Sequence, residues 1–232
     1  MAGRTFDSMN PLQRRPEPRE LMDDPDQARA YAEADFSDAN RLFLELFDTL
    51  HPQPFQGEAL DLGSGPAAIP ILFARRHVGC RVDAVEGAPA MLDLAREAVA
   101  SAGLGARLRL LHHCLPCSEL PEARYQAVLS NSLLHHLADP LDLWRTVRRC
   151  AAPGAVVLVM DLMRPATMKE VETLVERHAA DAPKVLRRDF RASLLAAYTP
   201  REVRAQLERI GLTGLEVTAV SDRHLAVRGR LA

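Results

Sequence analysis

Asp61, Gly63, Gly65 and Glu86 are the residues whose types and spacing point most directly to chemistry. The run Glu58-Ala59-Leu60-Asp61-Leu62 is short and apolar around its acid; two glycines follow one residue apart, and an apolar helical pattern runs on from Pro66. That order predicts a strand, a tight turn and a helix start. Glycine reaches turn conformations that a Cβ disfavours and lets backbone approach a ligand. The helix behind aims its free N–H groups at the turn. The generic reading is a nucleotide-binding βαβ unit lacking the third glycine of G-x-G-x-x-G. Asp61 narrows it, because a carboxylate at the strand tip repels a pyrophosphate and suits a ligand bearing an ammonium group. Residues 81–86 read as the next strand. It ends in Glu86, about twenty residues beyond the glycines, where a dinucleotide fold sets a carboxylate on ribose hydroxyls.

Three further clusters carry reactive side chains. His112-His113-Cys114-Leu115-Pro116-Cys117 follows a third short strand. Its two cysteines have metal or redox spacing, but a structural zinc usually takes a second ligand pair. The adjacent histidines stand too close at a strand end to complete a chelate, so no metal is expected. Asn131 ends the next strand, ahead of Leu133-Leu134-His135-His136-Leu137-Ala138-Asp139, and Asp161 ends a fifth apolar run. Arg187, Arg188, Asp189, Arg191 and Tyr198 crowd one amphipathic stretch, in which residues four apart share a face.

These positions need a scaffold of alternating strands and helices. Residues 1–20, with Pro11, Pro16 and Pro18 among arginines, read as a mobile tail. Residues 26–50 show helical spacing with a break at Phe36-Ser37-Asp38, where Ser37 or Asp38 is expected to cap the second helix. Helices are expected at 66–76, 90–102 and 140–150, and strands at 107–111, 125–132 and 155–161. Residues 162–200 break the rhythm with two charged amphipathic helices, 166–180 and 184–198. Thr199-Pro200 starts another helix that Gly211 stops. Residues 215–220 and 223–227 flank Ser221-Asp222 as a closing hairpin.

The run from Ala59 to Ala67 resembles motif I of class I S-adenosylmethionine (SAM) methyltransferases, an apolar pair followed by D-x-G-x-G-x-G, with Ala67 in the place of the last glycine. Residues 133–139 resemble the LHHL-x-D segment of the same family. The resemblance covers about residues 55–230. It implies a single Rossmann-like α/β domain over 55–232. The sheet would have seven strands, mostly parallel, with a C-terminal antiparallel hairpin. A helical lid would span 21–54 and an acceptor cover 162–200. It implies SAM as cofactor and S-adenosylhomocysteine as product. Asp61, Gly63, Ser64, Gly65, Glu86, Gly87, Met91, Cys114, Leu115 and Asn131 would hold the cofactor. Cys114 and Leu115 would line the adenine edge, where many relatives carry an acid. His135 and Asp161 become the catalytic candidates. Tyr31, Phe36, His135, Arg188, Arg191 and Tyr198 become the acceptor-binding candidates, and the arginines favour a small, polar, anionic or zwitterionic acceptor. An NAD-dependent dehydrogenase and a catalytically silent interaction protein of the same fold are the alternatives.

Composition agrees with a globular protein. In 232 residues, 47% are apolar and 26% charged, enough for one sizeable core. A net charge of −2 offers no overall basic surface for nucleic acid. The absence of long apolar runs argues against a membrane partner, and four cysteines in a chain this long suggest a reducing cytoplasm rather than a disulfide framework.

Overall fold

β1 (Gln56–Leu62) sits near the middle of the sheet, and its last four residues are buried on both faces. Burial on both faces is what a parallel strand covered by helices requires. In the computed structural model, which describes residues 12–17 and 21–231, β1 pairs in parallel with β2 (Gly79–Glu86) on one side and β4 (Tyr125–Asn131) on the other. Beyond them lie β3 (Leu108–His112), β5 (Ala151–Leu162), β7 (His224–Arg230) and β6 (Glu216–Ala219), in the order β3-β2-β1-β4-β5-β7-β6. β7 runs antiparallel to both neighbours. This is the expected seven-stranded sheet with its closing hairpin. The strand order reverses between β1 and β4, and in open α/β sheets ligands bind outside the carboxyl ends at such a switch point.

Helices cover both faces. α2 (Ser37–Leu50), α3 (Ala68–Arg76) and α4 (Pro89–Ser101) bury Phe43, Phe47, Phe73 and Val99 on one side. α5 (Leu141–Cys150) and α8 (Pro200–Ile210) bury Leu143, Trp144, Val203 and Leu207 on the other. α6 (Met168–Ala179) and α7 (Lys184–Ala196) leave this sandwich. They pack on each other over a small core of their own, with Val171, Leu174, Leu194 and Leu195 beside Leu162 at the end of β5. α1 (Pro25–Glu33) lies across α4, burying Ala28 against Ala88 and Met91. Among the described residues no helix is long and apolar enough to cross a membrane.

Several local expectations change. The helix after motif I begins at Ala68, not Pro66, because Ala67 itself adopts the left-handed turn conformation with φ 66°. α2 has no side-chain cap from Ser37 or Asp38; instead Asp35 accepts the Ser37 N–H at 2.9 Å. β5 starts at Ala151, with a register shift opposite Tyr125 and Ala127 that absorbs Gly154 at φ 75°. The stretch expected as a mobile tail is docked over residues 12–17. Leu12 N–H donates to Ala166 O, Arg15 N–H donates to Leu195 O, and the Arg14 guanidinium stacks 4.1 Å from the Tyr198 ring centre. Arginine donors find free carbonyls there, which proline-rich composition does not reveal. Residues 1–11 and 18–20 lie outside the described residues.

Candidate active site

A cavity of about 950 Å³ opens at the carboxyl ends of β1, β2, β4 and β5. All ten residues expected to hold the cofactor line it. The loop after β1 is fixed by its neighbour strand: Gly63 and Ser64 N–H both donate to Val85 O at 2.9 Å. Gly63 must be glycine, since φ is 73° and a Cβ would meet the Leu133 side chain at 2.9 Å. Glu86 spans two turns, accepting the Gly65 N–H at Oε2 and the Ala88 N–H at Oε1, both at 2.8 Å.

Asp61 is 1% exposed, and its Oδ1 has no partner. Burial, and then the Glu86 charge, push its pKa up to about 8. A buried carboxyl oxygen without a donor is costly, and an incoming ammonium would satisfy it. Asn131 Oδ1 and Ser64 Oγ are likewise buried without partners in the same cavity. These orphaned acceptors fit the amino-acid end of SAM. At the other end, Met91, Cys114, Leu115 and Gly87 form a mostly apolar wall, and no acid stands at the tip of β3. The two cysteines of the C-x-x-C pair part company there: Cys114 is exposed to the cavity, while Cys117 is buried in the sheet core.

Past Asn131 the cavity reaches the turn Leu134–His136, where His135 is 3% exposed. Its Nδ1 lies 2.6 Å from Asp161 Oδ1. With Asp161 a carboxylate, His135 donates through Nδ1, and Nε2 is the nitrogen left for the cavity. Burial works to lower the His135 pKa; the Asp161 charge and hydrogen bond outweigh it and leave the pKa raised. Asp161 does not itself line the cavity and acts through His135. Tyr31 of α1 and Phe36 before α2, rings 4.8 Å apart, line the cavity together. The Tyr31 phenol is pushed up to about 12 by burial and by the carboxylates of Asp161 and Glu86. It is therefore a hydrogen-bond donor near neutral pH, not a base.

Three of the acceptor-binding candidates lie outside the cavity lining. Arg188 and Arg191 do not reach the cavity. Arg188 is held by the neighbouring Asp189 at 3.0 Å, and Arg191 by Glu172 of α6 at 2.8 Å. Arg187 and Arg191 do share a helix face, but that face meets the acids of α6, with Arg187 on Glu176. α7 gives the cavity its other face, including Leu186, Asp189, Phe190 and Ser193. Tyr198 is buried beneath Arg14 rather than presented to the cavity. The arginines that do line the cavity are Arg177 of α6 and Arg223 of the β6–β7 turn. Asp222 joins them: Arg177 donates to it at 2.9 Å, and His178 contacts it at 2.8 Å. Sequence reasoning missed this group because 45 residues separate its halves.

Residues 59–154 match a family model described as a methyltransferase domain. Uncharacterized methyltransferases of Mycobacterium bovis and Mycobacterium tuberculosis are 30% identical over 128 residues, a stretch spanning 55% of this chain and 61% of each relative. Among solved structures, a SAM-dependent methyltransferase from Aquifex aeolicus superposes with a TM-score of 0.65 at 19% identity, covering 90% of this chain and 99% of that one. Phosphoethanolamine N-methyltransferase 2 of Haemonchus contortus, in complex with S-adenosylhomocysteine, gives 0.61 at 18% identity, covering 79% of this chain and 39% of that one. Residues 59–154 thus match a methyltransferase domain, and the 3-2-1-4-5-7-6 sheet around them has the fold of the SAM-dependent methyltransferase structures on which the chain superposes.

Proposed function

We propose that the protein transfers a methyl group from SAM to a small polar acceptor held between His135 and the α6–α7 cover. The observation that carries this reading is one cavity with two kinds of end. Asp61 and Asn131 present unpaired buried acceptors at one, and the His135–Asp161 pair stands at the other. Bound SAM supplies a methyl group on a sulfonium, open to attack by a lone pair. The chain's own groups do the rest. Asp61 and Glu86 would hold the two polar ends of the cofactor, and the Met91–Cys114–Leu115 wall would exclude water from the adenine. Tyr31 would donate a hydrogen bond from the lid. His135 Nε2, kept in orientation by Asp161, would take the acceptor's proton as its nucleophilic atom reacts. Fixing the two reactants side by side in one cavity removes much of the barrier, a contribution on the order of 7–11 kcal/mol for well-aligned pairs.

The mouth of the cavity bears on the acceptor's charge. Arg177 and Arg223 line it, and so do Asp181 and Asp189. Both signs are therefore offered, which supports a zwitterionic acceptor over a bare anion. The unpaired acid at Asp61 disfavours the pyrophosphate of NAD. The test follows label from methyl-labelled SAM into a metabolite extract. Labelled small zwitterions are expected; label in RNA or protein, or tighter binding of NAD than of SAM, would overturn the reading.

A further inference from the structure

We propose that Glu17, His135 and His136 form a site for one divalent transition-metal ion of the zinc class, at the acceptor half of the cavity. Each of the three offers one ligating atom, and these atoms lie within 4.8 Å of one another. His135 and His136 are sequence neighbours whose rings lie against each other, with centres 4.0 Å apart and planes tilted by 38°. Since Asp161 engages His135 Nδ1, Nε2 is the nitrogen free to ligate. A carboxylate behind the far nitrogen is the usual way a metal-binding imidazole is oriented. Glu17 is also positioned from behind: Ser193 donates to its Oε1 at 2.7 Å, and its Oε2 stands 3.0 Å from His136 Nδ1.

Two imidazoles and a carboxylate suit zinc and its neighbours in the first transition row rather than magnesium or calcium. Three protein ligands leave a position open, as in catalytic zinc sites. His135 and His136 both line the cavity, so that position faces the acceptor. The inference rests on the methyl-transfer reading for its role, not for its existence. An ion here would bind the acceptor's hydroxyl oxygen or thiol sulfur and lower its pKa, as zinc does for water. The acceptor's proton passes to solvent. Its lone pair then forms the new bond to the methyl carbon while the S–CH₃ bond breaks and those electrons stay on sulfur. In the loaded enzyme His135 is a ligand, and its proton-accepting role belongs to the ion-free enzyme.

The experiment uses the full chain, stripped with chelator and titrated with Zn²⁺ against a chromophoric indicator, with neither SAM nor acceptor present. One ion per chain is expected. Glu17→Gln and His136→Ala should each weaken binding by about tenfold or more, and Asp161→Asn by roughly ten- to a hundredfold through His135. His113→Ala is the control, because His113, Cys117 and Glu119 are the other group of close ligating atoms among the described residues. It should leave the affinity unchanged. Wild-type protein loaded with Co²⁺ should show visible d–d bands without a near-ultraviolet thiolate band, a readout independent of any variant's folding. Binding below one ion per chain, affinity unmoved in both Glu17→Gln and His136→Ala, or a thiolate band pointing to Cys117 would each overturn the proposal. Failure of SAM to bind a protein that still holds its ion would sink the methyl-transfer reading and leave the ion site standing.

Discussion

His135 Nδ1 and Asp161 Oδ1 meet 2.6 Å apart, joining the turn after β4 to the end of β5. The second Asp161 oxygen has no partner, so the carboxylate is committed to one task. That task is to fix which way the imidazole faces. Asp161→Asn should lower kcat about a hundredfold or more, the low end of what a misoriented base costs. SAM affinity should stay unchanged. Steady-state rates beside calorimetric titration of SAM would check it, and equal loss in kcat and in SAM affinity would assign Asp161 to the fold instead.

Asp61 ties cofactor affinity to pH. In the ligand-free fold it keeps its proton up to about pH 8, against an ordinary 3.8. Since the folded pKa is raised, the ligand-free fold loses stability as pH rises between those values. An ammonium beside Asp61 would reverse the preference, so on the proposed contact SAM binding would expel the proton below pH 8. Affinity should rise by up to about tenfold per unit between about pH 6 and 7.5, the limit for release of one proton. Asp61→Asn should flatten that dependence. A wild-type affinity that is flat over this interval would remove Asp61 from the ammonium contact.

Glu86 holds the Gly65 and Ala88 amides together. Glu86→Ala frees both turns and removes the acid assigned to the ribose. SAM binding should weaken by roughly 1.5–3 kcal/mol, the range for hydrogen bonds to a charged group. Wild-type affinity in a titration of this variant would cancel the ribose assignment.

The arginines of α7 and those of the cavity mouth should behave differently. Arg191 pairs with Glu172 on the surface, and such pairs contribute about 0–1 kcal/mol. Arg191→Ala should therefore leave the acceptor KM unchanged and the melting temperature nearly so. Arg223→Ala should raise the acceptor KM while kcat holds, as when a contact equal in ground and transition states is lost. The reverse pattern would return the acceptor to the outer face of α7.

The sequence was most informative where one short stretch carries both the fold and the chemistry. Asp61, Gly63, Gly65 and Glu86 belong to adjacent strands and turns, and local spacing was enough to place them in one cavity. Asn131 and His135 were placed there by the resemblance of residues 133–139 to a family segment rather than by spacing alone. Arg188 and Arg191 show the limit. Helical periodicity put Arg187 and Arg191 on one face, but only the packing of α6 on α7 decides whether that face meets a cavity or a row of glutamates. Glu17, Arg177 and Arg223 were invisible for a related reason. Each reaches the cavity through a long-range contact, and nothing in its neighbours' spacing marks it.

α1 touches both halves of the site. Ala28 packs on Met91 beside the cofactor end, while Gln27 donates to Asp189 of the cover at 2.6 Å. Tyr31, on the same helix, lines the cavity between them. One short helix thus spans both halves of the cavity. Were it the opening through which the proposed reaction releases both its products, the rate of its movement would set a ceiling on turnover for fast acceptors, whatever the speed of the chemical step.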